Sequence, residues 1–202
     1  KMKLLELALA LAYSAKVNYE DVFSQVRTWD QIIYHYLRED NIVIPPKKAG
    51  KKEEQYSGAY VKDPITGIHD WIVSFDLNSL YPHLIMQYNI SPETLVNQLQ
   101  DLNIKPDRIL DKDPGCMEAI KSHTENNFSV AANGTCYTRE FMGFLPELMS
   151  KMYDDRKTYK KKMIECQKQK EKDPNNKKLD FEIVKYNNFQ MVRKIQLNSA
   201  YG

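Results

Sequence analysis

Two long helical patterns follow one another in the last third of the 202-residue chain, and they constrain its fold more than any other feature. The first runs from Pro146 with apolar residues at helical spacing, and the second runs through 178–202. The polar segment 172–176, which contains a proline and two asparagines, separates them and ends the first helix. Because this connection is so short, the pattern predicts two antiparallel helices packed as a hairpin.

The rest of the chain predicts shorter elements. Apolar periodicity predicts a helix over 2–16, and a capping box predicts that a second helix begins with Thr28 as its N-cap. The apolar, β-rich run 71–75 predicts a core strand, and Asn-Gly at 133–134 predicts the turn of a β-hairpin. Residues 97–127 carry no usable pattern. Helices together with separate strands indicate an α+β fold.

Cysteine, histidine and charge usage excludes several classes of site. Cys116, Cys136 and Cys166 are far apart and form no CxxC pair, and the four histidines are scattered. This pattern supports neither a disulfide framework nor a zinc site, so a bound metal would need carboxylate ligands. The 29 Lys and Arg residues nearly balance 27 Asp and Glu, and a net charge of +2 confines any anion-binding surface to a local patch.

An acid at the end of the predicted strand 71–75 forms the first candidate segment. Asp76 follows that strand, and Ser79 has the side chain of a good N-cap for the helix after it. A carboxylate there could hold a hard cation, and the first N–H groups of the helix could bind phosphate oxygens. The alternative is an aspartate that only caps a turn.

The first long helix is strongly basic and forms the second candidate segment. Between positions 149 and 172 it carries nine Lys or Arg residues and four Asp or Glu residues. Arg156 and Lys160 form a like-charge pair at i,i+4, as do Lys157 and Lys161, and each pair is unfavourable by roughly 0.2–0.5 kcal/mol. Such a helix either meets an anion or presents a solvated charged face.

The third candidate segment ends the chain. Lys194, Asn198 and Tyr201 recur at i, i+4 and i+7, which places a cation, an amide and a phenol on one helical face. That face could bind a phosphate through the lysine and stack a base on the tyrosine. The alternative is a solvent-facing stripe with one aromatic residue.

These segments, in this order, resemble the motifs of the family B DNA polymerases. Residues 76–82 match D-x-x-S-L-Y-P, and residues 194–202 match K-x-x-x-N-S-x-Y-G. Between them, residues 143–146 resemble G-x-L-P and residues 156–160 resemble R-K-x-x-K. The flanking sequences resemble the replicative polymerases of T-even-type bacteriophages, most clearly at 12–16, 28–30 and 89–94.

The resemblance implies a right-hand polymerase fold with an incomplete palm sheet and an α-helical fingers hairpin. Residues 1–57 would be a helical segment linking an upstream exonuclease and N-terminal region to the palm. Residues 58–142 would form the N-terminal part of the palm, and residues 143–202 the fingers hairpin.

The resemblance also implies a role for each motif residue. The Asp76 side chain would be catalytic as the first metal-binding carboxylate, and the Leu77 carbonyl would bind the same metal. Ser79, Leu80 and Tyr81 would bind the triphosphate through backbone N–H groups, and the Tyr81 ring would exclude a ribose 2′-OH.

The remaining roles lie on the two long helices. Arg156, Lys160 and Lys194 would hold phosphate oxygens of the incoming nucleotide, and Asn198 would support that site. The pocket for the nascent base pair would be lined by Tyr201 and Gly202.

The activity implied is template-directed addition of deoxynucleotides to a primer 3′ end by two-metal nucleotidyl transfer, with Mg²⁺ as the metal. Primer–template DNA and deoxynucleoside triphosphates would be bound, a sliding clamp would bind through a C-terminal region, and no membrane would be involved. The location would be cytoplasmic, in the host cell if a phage encodes the chain.

Two departures from the family pattern bear on these expectations. His83 stands where the family usually has serine, and this predicts a difference in packing only. In the family, the second catalytic carboxylate belongs to an Asp-x-Asp motif downstream of the fingers, beyond residue 202. The acids of the proofreading site would lie upstream of residue 1. The 202-residue chain is therefore expected to be a fragment that neither polymerises nor excises by itself.

Two other functions are consistent with the residues alone. The basic segment 151–172 could belong to a non-catalytic helical protein that binds nucleic acid, with strong salt dependence and no role for Asp76. The chain could instead be one subunit of a split polymerase, with the missing carboxylate supplied by a partner chain.

Overall fold

A computed structural model describes residues 4–46, 61–99 and 104–200. Helices and a small antiparallel sheet form an α+β arrangement, as predicted. Two short 3₁₀ turns lie at Tyr19–Phe23 and Pro92–Thr94. The helices and strands are, in chain order, α1 (Leu4–Ala15), α2 (Gln25–Glu39), α3 (Leu80–Tyr88), β1 (Leu95–Gln98), α4 (Pro106–Leu110), α5 (Pro114–Glu125), β2 (Phe128–Val130), β3 (Thr135–Thr138), α6 (Phe144–Lys172) and α7 (Lys177–Ser199).

The two long helices α6 and α7 form the predicted antiparallel hairpin. Asp155 of α6 pairs with Arg193 of α7, whereas Lys170 near the end of α6 pairs with Asp180 near the start of α7. The 29 residues of α6 extend for about 43 Å. In the described ranges, no helix has the length and apolar character needed to cross a membrane.

The main core lies where α1 and α2 pack against the base of the hairpin. Met149 of α6 and Leu197 of α7 are fully buried at its centre, and Trp29 of α2 is 7% exposed beside them. The Trp29 indole N–H also donates to the Ser199 hydroxyl at 3.1 Å. A second cluster joins α1 to α7 through Leu11 and other apolar residues. The hairpin is therefore anchored to the N-terminal helices.

Helix α2 begins one turn earlier than predicted. Ser24, not Thr28, is its N-cap, and the Ser24 hydroxyl accepts from the Arg27 N–H at 3.4 Å. Thr28 lies within the helix instead, where its hydroxyl donates to the Ser24 carbonyl at 2.9 Å and its side chain is buried in the protein. The prediction was wrong because a threonine hydroxyl can bond either forwards as a cap or backwards to the fourth preceding carbonyl.

The sheet has the strand order β1-β3-β2, with both pairs antiparallel. Strands β2 and β3 form the hairpin predicted from Asn-Gly at 133–134, and Gly134 has the positive φ of 80° that this turn requires. Helix α5 packs on the sheet, where Cys116, Val130 and Cys136 are buried together. The end of strand β1 and helices α4 and α5 lie in the region 97–127, where the sequence carried no usable pattern.

The core strand predicted over 71–75 is not present. These residues form neither helix nor strand, and Trp71 and Phe75 are 99% and 90% exposed. An apolar run becomes a core strand only when another strand pairs with it and another layer covers it. In the part of the chain that the structure describes, no strand pairs with this run.

Candidate active site

Ser79 stands at the start of α3, as predicted, but it does not cap the helix with its side chain. Its backbone is left-handed, with φ 54° and ψ 45°, and no capping hydrogen bond forms. The Ser79 hydroxyl instead accepts a hydrogen bond of 3.4 Å from Nη1 of Arg156 on α6. The first two candidate segments, which are 77 residues apart in sequence, therefore meet in space.

Helix α3 packs directly on the basic segment of α6. The His83 ring contacts the Tyr153 ring edge-on, with centroids 4.8 Å apart and planes at 84°. The Lys157 ammonium lies 5.7 Å from the centroid of the same tyrosine ring. Ile85 and Met86 of α3 pack against the main core. These contacts fix the start of α3 against α6.

The first turn of α3 is suited to an anion. Leu80 and Tyr81 are the first two residues of the helix, where backbone N–H groups point away from the helix body and the helix dipole adds partial positive charge. Their side chains are 41% and 49% exposed, so a ligand can approach this turn. With the Arg156 guanidinium at Ser79, a full positive charge lies beside it.

The residues predicted on α7 lie on the same hairpin. Lys194 and Asn198 are exposed on α7. The ion pair between Asp155 and Arg193, 2.8 Å long, aligns the two helices. Because these residues immediately precede Arg156 and Lys194, the backbone positions of both predicted phosphate ligands lie at about the same level of the hairpin.

The two other predicted residues of these helices have different outcomes. Lys160 is exposed on α6, one turn beyond Arg156 and about 6 Å further along the axis. Tyr201 and Gly202, which were predicted to line the base-pair pocket, lie outside the described residues.

A polar network that the sequence analysis missed sets the position of α7. Arg193 donates to the Ser14 hydroxyl at 3.1 Å and to the Gln196 side-chain oxygen at 2.8 Å. The Gln196 amide, only 1% exposed, donates to Ser14 at 3.3 Å. Ser14 lies about 180 residues away on α1, so no local pattern could have identified this network.

Asp76 and Leu77 lie in the irregular segment before α3. Both are exposed, and the acid is three residues from Ser79. Within the described ranges, no group of three or more His, Cys, Asp or Glu residues is arranged to hold a metal ion. Magnesium takes six oxygen ligands in near-octahedral geometry. One carboxylate and one carbonyl therefore form only part of such a site.

Sequence comparison with known proteins identifies relatives of this chain. A model of DNA polymerase family B matches residues 22–202. The chain is 33% identical over 168 residues to the DNA-directed DNA polymerase of Escherichia phage RB69, covering 83% of this chain and 18% of that protein. It is 35% identical over 160 residues to the DNA-directed DNA polymerase of Enterobacteria phage T4, covering 79% and 17%.

An archaeal DNA polymerase is similar to the chain as well. DNA polymerase 1 of Pyrococcus abyssi is 32% identical over 166 residues, which are 79% of this chain and 17% of that protein. The chain thus spans less than a fifth of the length of these relatives. The resemblance to T-even-type phage polymerases is confirmed, and the chain belongs to DNA polymerase family B.

Proposed function

We propose that these residues are the central part of a template-directed DNA polymerase that adds deoxynucleotides to a primer 3′ end. Residues 58–142 would form part of the palm and residues 143–202 the fingers hairpin of a right-hand fold, with residues 1–57 linking them to an upstream region. The observation that carries this proposal is the hydrogen bond between Arg156 and Ser79, which joins a cation of α6 to the first turn of α3.

A nucleoside triphosphate is the ligand that this junction fits best. Several negative charges on one small ligand would offset the repulsion between cations at neighbouring positions of α6. The planar Arg156 guanidinium can bind two phosphate oxygens at once, and Lys160 and Lys194 would add point charges. Backbone N–H groups of Ser79, Leu80 and Tyr81 would bind further oxygens.

The other predicted residues would orient the nucleotide. Asn198 would support the triphosphate site from α7, and the Tyr81 ring would lie against the sugar and exclude a 2′-OH. The nascent base pair would lie against Tyr201 and Gly202. Sequence would be set by pairing with the template, so the protein need not contact base edges.

Family membership implies that the reaction depends on a divalent metal, which we infer to be Mg²⁺. The Asp76 carboxylate and the Leu77 carbonyl would be two of its oxygen ligands. When bound, two such ions would stabilise the attacking 3′ oxygen and the departing pyrophosphate. Substrate phosphates and water would supply further oxygen ligands, as is usual for Mg²⁺.

The test measures nucleotide binding and incorporation by the full-length gene product. Arg156→Ala and Lys194→Ala should each weaken binding of a fluorescent dATP analogue about tenfold or more, since each removes a charged phosphate contact. Lys168→Ala and Lys172→Ala provide matched controls near the far end of α6 and should change binding less than twofold. Equal losses in both pairs would contradict the proposal.

The same variants separate the polymerase from a non-catalytic nucleic-acid-binding protein. That alternative requires duplex affinity to fall with every lysine removed, whatever its position, and to fall steeply with salt. It also requires Asp76→Ala to have no effect, whereas a polymerase should lose template-dependent incorporation. A split enzyme would need an uncovered apolar face on α7, where Leu179, Val192 and Leu197 are buried in this chain and Phe181 is 69% exposed.

In the same proposal, a C-terminal region of the full-length protein binds a sliding clamp, and the protein acts in the cytoplasm.

A further inference from the structure

His83 makes two hydrogen bonds to one carbonyl group. Its ring nitrogen Nδ1 lies 2.8 Å from the Ser79 oxygen, and its backbone N–H donates to the same oxygen at 3.2 Å. Because a carbonyl oxygen can only accept, Nδ1 must carry the proton. The His83 side chain therefore acts as a second clamp on the Ser79 carbonyl.

Clamping that carbonyl also fixes a neighbouring donor. The Ser79 carbonyl and the Leu80 N–H belong to one planar peptide group, so the direction of one determines the direction of the other. Ser79 has a left-handed backbone with φ 54°, a conformation that is unfavourable for a non-glycine residue and persists only when surrounding contacts hold it. Without the imidazole, this peptide would have one fewer contact that opposes its rotation.

The same ring also contacts the helix that carries the cations. The ring contacts Tyr153 edge-on. Tyr153 precedes Arg156 by three residues on α6, and the Arg156 guanidinium donates to the Ser79 hydroxyl. His83 and Arg156 thus hold the carbonyl and the hydroxyl of one residue from two helices. The sequence predicted only a packing difference at position 83, and these hydrogen bonds indicate more.

We propose that His83 is a positioning residue for nucleotide binding, acting through the Ser79 carbonyl to aim the Leu80 N–H at a phosphate oxygen. This role rests on the proposed function, because it requires the first turn of α3 to bind a triphosphate. Because His83 would act through the Ser79 carbonyl, its role is positioning rather than catalytic.

Three variants separate the hydrogen bond from the ring contact. His83→Phe keeps an aromatic ring against Tyr153 and removes the donor. His83→Asn removes the ring and keeps a donor, which can reach the fourth preceding carbonyl as Asn126 does to Ser122 at 2.9 Å. His123→Phe is the matched control, because His123 makes the same bond of 2.8 Å to Ala119 on the remote helix α5.

The measurements are steady-state incorporation by the full-length gene product and equilibrium binding of a fluorescent dATP analogue. We expect His83→Phe to raise the nucleotide KM and the analogue Kd about tenfold, with kcat changed less than twofold, since one oriented donor is lost. His83→Asn should stay within about threefold of the wild type in both quantities. His123→Phe should match the wild type, and the Kd for primer–template DNA should not change in any variant.

The outcomes are distinguishable. Wild-type affinity in His83→Phe would overturn the positioning role. An equal loss in His83→Asn would overturn it too, because nucleotide affinity would then not follow the side-chain hydrogen-bond donor. A wild-type protein that neither binds nor incorporates nucleotide would overturn the proposed function and this role with it.

Discussion

The Asn89 side chain accepts a hydrogen bond of 2.9 Å from the backbone N–H of Gly143, which lies 54 residues further along the chain. Its amide also donates to the carbonyls of Thr138 and Phe141 at 2.7 and 2.8 Å. Asn89 ends α3 and Gly143 precedes α6, so one buried side chain joins both helices to the end of β3. This residue fixes the base of the helix that carries the candidate site.

Removing the Asn89 side chain should destabilise the chain substantially. Asn89→Gly keeps a residue that tolerates the left-handed φ of 54°, so the change isolates the lost hydrogen bonds. Three backbone groups would lose a partner near the core, and we expect the free energy of unfolding to fall by about 2–4 kcal/mol. Urea titration of the 202-residue chain measures this change.

Asn41→Gly is the matched control for that experiment. Asn41 is also left-handed, with φ 58°, but its side chain is exposed beyond the end of α2. The free energy of unfolding should change by less than about 0.5 kcal/mol. Equal effects at the two positions would show that backbone conformation, and not the buried bonds, determines the loss.

A side chain at Gly143 should not fit. A Cβ there would lie 2.5 Å from the Cβ of Ser91 and 3.0 Å from Cγ2 of Thr94. We expect Gly143→Ala to lower the free energy of unfolding by about 1–3 kcal/mol, the typical cost of overpacking. Adding Ser91→Gly removes the closest contact and should restore part of the loss in the same urea titration.

Gly115→Ala is the corresponding control in α5. Its nearest neighbour to a new Cβ is a carboxylate oxygen of Asp113 at 3.6 Å, an ordinary contact. Alanine also favours helix more than glycine does, so stability should stay the same or rise slightly. A loss at Gly115 as large as that at Gly143 would mean that crowding at Ser91 is not the cause.

Asp113, the N-cap residue of α5, should give the chain a pH dependence in acid. The Cys116 backbone N–H, which donates to the Asp113 carboxylate at 2.9 Å, and the Arg108 guanidinium lower the pKa of Asp113 below its ordinary value. A carboxyl whose pKa is lowered by folding stabilises the native state above its ordinary pKa of about 4, and this stabilisation is lost as the pH falls further.

Urea titrations at pH 6, 4 and 3 measure this loss. The wild type should lose stability between pH 4 and pH 3, and Asp113→Asn should lose less, because an asparagine still caps the helix but does not titrate. Parallel curves for the two proteins across this range would contradict the assignment.

The sequence predicted correctly those helices and turns that are determined by residues close together in the chain. The α6–α7 hairpin follows from apolar periodicity and a polar break, and the turn at 133–134 follows from asparagine and glycine, which tolerate positive φ. The motif at 76–82 likewise placed Ser79 at the start of a helix. In each case the residues that determine the structure are neighbours in the chain.

What the sequence did not predict depends on residues that are distant in the chain. The run at 71–75 is apolar enough for a core strand, but its burial requires a partner strand elsewhere. The hydrogen bond between Arg156 and Ser79 and the one between Gly143 and Asn89 each join positions more than 50 residues apart. Thr28 shows a local ambiguity instead, because its hydroxyl could bond in either direction along the helix.

The ion pair between Asp155 and Arg193 provides the last prediction, because it aligns the two helices that carry the proposed phosphate ligands. The two side chains are only 36% and 22% exposed, so their attraction is screened less than that of a surface pair. A double-mutant cycle with Asp155→Asn and Arg193→Met should give a coupling energy of about 1–2 kcal/mol.

The neighbouring pair of Asp154 and Lys157 is the control for this cycle. Its atoms are 3.9 Å apart and both side chains are about two-thirds exposed. Asp154→Asn and Lys157→Met should therefore couple by less than about 0.5 kcal/mol in the same urea titrations. Since Arg193 aligns α7, the Asp155→Asn variant of the full-length gene product should also bind the dATP analogue less tightly, whereas Asp154→Asn should not. The alignment role would be contradicted if Asp155 and Arg193 showed a coupling energy but Asp155→Asn bound the nucleotide as tightly as the wild type. The ion pair would then stabilise the hairpin without affecting nucleotide binding.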